Sequence, residues 1–249
     1  MAGEINAKLS PLLRRLFRRG KTIFVACAAR TEDSAAEFPG NPMNRPILAL
    51  AAAAVFFACQ PAQSAGVVKT VSYFTVGGTT VAEIEKELKR RGPHVKSTGM
   101  RHPGATRMEF TSRVGYRESG GRCAVASVAV TVKADMILPR WNRRKAASPD
   151  TRLIWDTLSA DIKRHEESHV GIAKNHAREL EEALKAVPRQ RDCAGVQEKV
   201  KEATARVLAK HDSEQDRFDR IERKNFESRL MRLLQYRIER IESGELAYP

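Results

Sequence analysis

The hydrophobic pattern changes its period near the middle of the chain. Up to residue 139 apolar positions alternate or run in short blocks, and from 149 onward they recur every three or four residues, so strands are predicted first and helices after. "VVKTVSYFTVGG" reads as a strand rich in Val, Tyr and Phe that ends at a Gly-Gly turn. A helix follows, opened by Thr79 or Thr80 and closed at Gly92-Pro93. "TRMEFTSRVGYRES" and "RCAVASVAVTVKADMILP", separated by Gly120 and Gly121, predict two antiparallel strands. In the second of these Ala124, Ala126, Val128, Val130, Val132, Ala134, Met136 and Leu138 share one face, which is expected to be buried.

The helical half is better punctuated. Ser148 is a suitable N-cap, with Pro149 at the first helical position and Asp150 in the first turn. Ile154, Leu158, Ile162, His165, His169, Ile172, His176 and Leu180 then form one stripe that ends before Pro188. Beyond "PRQRDCAG" a charged segment carries Val196, Val200, Ala203 and Val207 on one stripe. Phe218, Ile221, Leu230, Leu233, Leu234, Ile238 and Ile241 lie on another after a slip in register. An uninterrupted helix there would be about 70 Å long at 1.5 Å per residue, so a break is predicted around 210–216. The expected fold class is α+β, with a small antiparallel sheet and a histidine-bearing helix packed against a long C-terminal helical segment.

Residues 43–65 do not belong to that pattern. Arg45, an apolar run from Ile47 to Cys59 and small residues up to Ala65 have the layout of a secretory signal, cleaved near Ala65. A lipoprotein acylated at Cys59 is the weaker variant, because Phe56 stands where such signals place Leu. Residues 1–42, with "LLRRLFRRGK" and "EFPGNP", are expected to be an N-terminal extension from a misassigned start or a disordered one, which leaves 66–249 as one domain. Export removes Cys27 and Cys59 and leaves Cys123 and Cys193, an even pair in an oxidising compartment, so a disulfide between them is expected. The mature chain is expected to be secreted or periplasmic with no transmembrane span. The net charge of +14 arises from Lys and Arg mixed among 30 acidic residues, and no basic-aromatic module accompanies it, so no specific nucleic-acid binding is expected.

The chemistry concentrates in "RHEESH". His165 and His169 stand one turn apart, so both can turn a ring nitrogen toward a single ion at about 2.0–2.1 Å, and Glu166 between them can take a proton from water activated there. His176 shares the stripe but lies about 10 Å further along the helix axis, out of reach of the same ion. A third ligand must come from elsewhere. The segment "EQDRFDRIERKNF" offers the carboxylates Asp216, Asp219 and Glu222, with Glu198 and Glu202 as more distant sources. The bland alternative is a core-facing histidine pair hydrogen-bonded to its neighbours.

Several stretches resemble the bacterial secreted zinc-dependent proteases grouped as domain of unknown function 922. They are "YFTVGGTTVAEIEKEL", Gly92-Pro93, the Cys123 strand ending in "ILPRW", Trp155, "HEESH" with "IAKNHARELEEAL", and "FDRIERKN". The resemblance runs over about residues 71–226. It implies a zincin-like metallopeptidase that hydrolyses peptide or protein substrates. Asp219 stands at an Asp of the family pattern, whereas Phe218 replaces a Tyr, Glu222 a Thr, and Lys224 with Asn225 a His-Gly pair. The expected site is therefore a Zn2+ ion on His165, His169 and a carboxylate, Asp219 first and Glu222 second, with Glu166 as general base. Phe218 and Ile221 are expected to dock Asp219 against the first helix. The rival reading is a non-catalytic envelope protein with a structural or vestigial metal site.

Overall fold

The computed structural model describes residues 29–32, 66–95 and 99–249. The expected signal at 43–65 lies outside these residues, and the expected extension 1–42 is described only at Ala29–Glu32. The elements are β1 (Ala29–Glu32), β2 (Gly66–Val76), α1 (Val81–Arg91), a two-residue hairpin of β3 (His94–Val95) with β4 (Met100–Arg101), β5 (Ala105–Ser119), β6 (Arg122–Trp141), α2 (Pro149–Lys185) and α3 (Cys193–Glu242). The fold is α+β.

The four-stranded sheet has the order β1-β5-β6-β2 and is mixed, which corrects the expectation of an antiparallel one. β5 and β6 form the predicted antiparallel hairpin, closed by Gly120 and Gly121 at φ +61° and +66°, values open to glycine without strain. β2 runs parallel to β6 because α1 and the β3–β4 hairpin lie between β2 and β5, giving the chain the crossover length a parallel partner needs. A β-bulge sits between Gly115 and Tyr116, where Ala126 is skipped in the pairing. Beyond a bulge the alternation of faces reverses. Val130, Val132, Ala134, Met136 and Leu138 are buried as expected, but at the far end Cys123 turns inward and Ala126 is exposed.

The caps explain where the helices start. Thr80 accepts from the Glu83 backbone N–H while the Glu83 carboxylate accepts from the Thr80 backbone, a capping box. Ser148 Oγ accepts from the Thr151 N–H at 3.2 Å, and Pro149 begins α2. α2 and α3 form an antiparallel pair that packs across one face of the sheet. α3 is one continuous helix of 50 residues, about 75 Å at 1.5 Å per residue, so the predicted break at 210–216 is absent. Its buried positions run Val196, Val200, Ala203, Thr204, Val207, His211, Gln215, Asp219, Phe226, Leu230, Leu234 and Ile238. The buried stripe continues through 210–216. It turns polar there, and a polar stretch of an inward face looks like a slip when only apolar residues are counted.

That polar stretch divides the interior. One apolar cluster holds Val76, Leu88, Trp141, Trp155, Ile162 and Leu234, and the other holds Phe110, Val132, Leu180, Leu184, Val196 and Val207. Between them on α2 lie His165, Glu166 and His169. No helix of the described residues is long and apolar enough to cross a membrane.

The expected Cys123–Cys193 disulfide is present and joins the start of β6 to the first residue of α3. Beside it Cys123 and Gln190 exchange two backbone hydrogen bonds of 3.0 Å, so the tip of the hairpin is tied to the turn between the helices by three bonds. Reduction should lower unfolding stability by about 2–4 kcal/mol, the usual effect of opening a loop of this size. Denaturant titration with and without reductant checks this, and an unchanged midpoint would show that the backbone bridge alone holds the corner.

Candidate metal centre

Antiparallel packing of α2 on α3 brings one turn of each helix to the same level. His165 and His169 project from α2 and Asp219 from α3. His169 Nε2 lies 3.1 Å from Asp219 Oδ1 and 3.1 Å from His165 Nε2, and His165 Nε2 lies 3.3 Å from Asp219 Oδ1. Four zinc ligands at about 2.0–2.1 Å form a tetrahedron whose edges are about 3.3–3.4 Å, so these three atoms have the spacing of one face of that tetrahedron. His169 and Asp219 are buried at 0% and 3% exposure, and His165 is partly exposed. The donor set of two imidazoles and one carboxylate suits zinc chemistry.

Each member is held from behind. His169 Nδ1 meets Gln215 Oε1 at 2.6 Å. His165 Nδ1 faces Glu222 Oε2 at 3.4 Å, and Glu222 is gripped in turn by Arg164 and by Arg229, the latter at 3.2 Å. Both arginines also bind the buried Asp161, at 2.9 and 3.0 Å. Glu222 thus lies on the far nitrogen of His165 and outside the triangle. Phe218 packs on both imidazoles with centroids 5.1 Å away, as the docking argument required. Ile221 does not take part. It is 45% exposed, because at that level the inward positions of α3 belong to Asp219 and Glu222.

His176 stands apart from the triangle, its Nε2 2.8 Å from Glu214 and its Nδ1 3.0 Å from Glu179. Asp216 is half-buried on α3, and Glu198 and Glu202 are exposed near its start.

Glu166 is fully enclosed. Its Oε2 accepts from Thr106 Oγ1 of β5 at 2.8 Å, and a Cβ at Gly104 would come within 2.8 Å of its Oε1 and 2.9 Å of Ile162. Glycine lets the backbone pass this close without displacing either side chain. Burial raises the Glu166 pKa above its ordinary 4.5, against the lowering pull of His169 and His165. Burial also opposes charge on His165, but hydrogen bonds to Asp219 and Glu222 outweigh it and push the imidazole up to about 9. Asp219 shows the converse: burial disfavours its charge, yet the two histidines hold it at about 2. In the metal-free molecule a proton on His165 occupies the electrostatic role a cation would take. The sequence reading missed Gln215, Thr106 and Gly104. Gln215 had a usable signal, since it lies four residues before Asp219 on the same helical face.

Fold and site together define an α+β protein with a histidine–carboxylate centre buried between two antiparallel helices. The chain belongs to the family described as "Bacterial protein of unknown function (DUF922)", whose model matches residues 71–226, from within β2 to within α3, and so takes in every side chain of the triangle. No curated protein and no solved structure matches the chain.

The raised His165 pKa has a signed consequence for the metal-free protein. The folded state keeps a proton that the unfolded chain releases above the ordinary 6.5, so this stabilisation is complete below pH 6.5 and is lost as pH rises through about 9. Chelator-treated protein should therefore lose stability between pH 6.5 and 9, and His165→Gln should flatten that limb. Zinc titrated in at pH 7 should release about one proton per ion, read by calorimetry in buffers of different ionisation enthalpy. A titration that releases none would place the ion away from His165.

Proposed function

We propose that this chain is an exported zinc metallopeptidase that hydrolyses peptide bonds in peptide or protein substrates. The observation that carries the reading is the triangle of His165 Nε2, His169 Nε2 and Asp219 Oδ1, whose edges of 3.1–3.3 Å suit a tetrahedral ion, beside a buried Glu166. Bound zinc would supply Lewis acidity, activating water near neutral pH and polarising the substrate carbonyl.

The chain's own residues do the rest. Glu166, kept dry by Gly104 and Ile162 and steadied by Thr106, takes the proton from the attacking water and returns it to the leaving amine. A carboxyl whose pKa is raised by burial suits both halves of that exchange, because it gives the proton back readily. Asp219 on the triangle and the Glu222 carboxylate behind His165 bring negative charge to the cation while leaving Glu166 free to titrate. The disulfide supports a place outside the cytoplasm. The rival reading, a non-catalytic envelope protein with a structural or vestigial metal site, would bind the ion and hydrolyse nothing.

Glu166→Gln should keep zinc at one per chain and lower peptide hydrolysis by about 100-fold or more, the usual weight of a general base. Loss of zinc together with activity would make Glu166 structural. In the wild type the acid limb of kcat/KM should lie above pH 4.5, since Glu166 acts only when ionised and its pKa is raised. Gly104→Ala should lower kcat at full zinc content, because the added methyl displaces the Glu166 carboxylate. Unchanged kcat in that variant would show that Glu166 works from another rotamer.

A further inference from the structure

We propose that Gln215 and His211 form a buried hydrogen-bond relay, anchored on Asp212, that fixes the tautomer of His169 and thereby sets the strength of the metal centre. The inference rests on the metal-site reading above and assigns positioning roles to residues outside the triangle.

The relay runs along one face of α3 and its direction is dictated by what each group can donate. Asp212, part-exposed, presents only acceptors, and its Oδ1 lies 3.0 Å from His211 Nδ1, so the proton of His211 sits on Nδ1. His211 is fully buried against the Phe110 ring, a place that disfavours a second proton, so its Nε2 is a bare acceptor. The Gln215 amide nitrogen lies 2.9 Å from that atom and 3.1 Å from the His169 carbonyl oxygen, and its two hydrogens match these two acceptors. With its nitrogen so engaged, Gln215 must turn its oxygen to His169 Nδ1, 2.6 Å away.

An oxygen there accepts and cannot donate, so a proton of His169 is held on Nδ1 and Nε2 is the atom turned to the triangle, 3.1 Å from Asp219 Oδ1. Flipping the amide would set its oxygen against two acceptors, His211 Nε2 and the His169 carbonyl oxygen, losing both bonds at a residue 1% exposed. The neutral acceptor leaves His169 less electron-rich than a carboxylate would. His165 differs in this respect, with the anionic Glu222 behind it.

The test uses the full-length protein. Nitrogen-15 NMR of the imidazoles in chelator-treated wild type should show His169 protonated at Nδ1. In Gln215→Leu the Nε2 tautomer should appear, and zinc affinity, measured by competition with a chromophoric chelator, should fall by about 10- to 100-fold. Gln215→Glu keeps an acceptor for His169 and should retain the Nδ1 tautomer, with an affinity closer to wild type than the Leu variant shows. Asp212→Ala alters a part-exposed side chain and leaves the packed residues in place. It should weaken zinc binding several-fold and move the His211 signals, which keeps the relay testable should Gln215→Leu fail to fold. Wild-type His169 with no proton on Nδ1 would overturn the relay, as would tautomers and affinities unchanged in both Gln215→Leu and Asp212→Ala. Failure of wild-type protein to bind zinc would overturn the metal reading instead, and the metal-free tautomers would still decide the relay.

Discussion

Burial of charged and polar groups between α2 and α3 is the constraint on which the rest of the structure depends. His169, Glu166, Gln215, His211, Asp161 and Asp219 are each at most 3% exposed, on faces that elsewhere carry Leu, Val and Ala. Taking such groups from water costs several kcal/mol apiece unless each finds a partner. The partners are supplied in pairs across the seam: His169 with Gln215, His165 with Asp219 and Glu222, and Asp161 with Arg229. Leaving any one of them alone would strand the other, so the seam specifies the register of the two helices as well as the site.

The surrounding fold holds that register. Apolar clusters above and below the polar layer press α2 onto α3, and the disulfide pins the turn between them to the sheet. β5 closes the third side, with Thr106 bonded to Glu166 and Gly104 passing where an added Cβ would press on the Glu166 carboxylate and Ile162. The same packing that hides Glu166 raises its pKa, so stability and chemistry arise from one arrangement. The cost falls on the helices, whose polar faces contribute little hydrophobic stabilisation over this stretch.

Much of this was legible in the sequence because local rules agreed. The Ser148–Pro149 start of α2, the Thr80 cap, the Gly120–Gly121 turn, the cysteine pair and the H-E-x-x-H spacing are short-range signals, and each appears in the structure where it was expected. The misreadings were long-range. The parallel partner of β2 depends on a crossover, and no residue of β2 announces it. Ala126 changes the face of the hairpin end through a bulge that a strict alternation rule does not anticipate. The supposed break in α3 was the site itself: His211, Gln215 and Asp219 interrupt the apolar stripe while keeping its helical spacing. A stripe counted by position instead of by hydrophobicity would have kept the helix whole and placed Gln215 beside His169.

The central claim is that the atoms of His165, His169 and Asp219 share one zinc ion. Zinc-edge X-ray absorption on the stoichiometrically loaded protein tests it most directly, since the first shell reports ligand type and distance without reference to activity. The account predicts a four-coordinate shell of nitrogen and oxygen at about 2.0–2.1 Å, with outer-shell scattering from two imidazoles and no sulfur. A shell containing sulfur at about 2.3 Å, or one of oxygen alone without imidazole scattering, would contradict it.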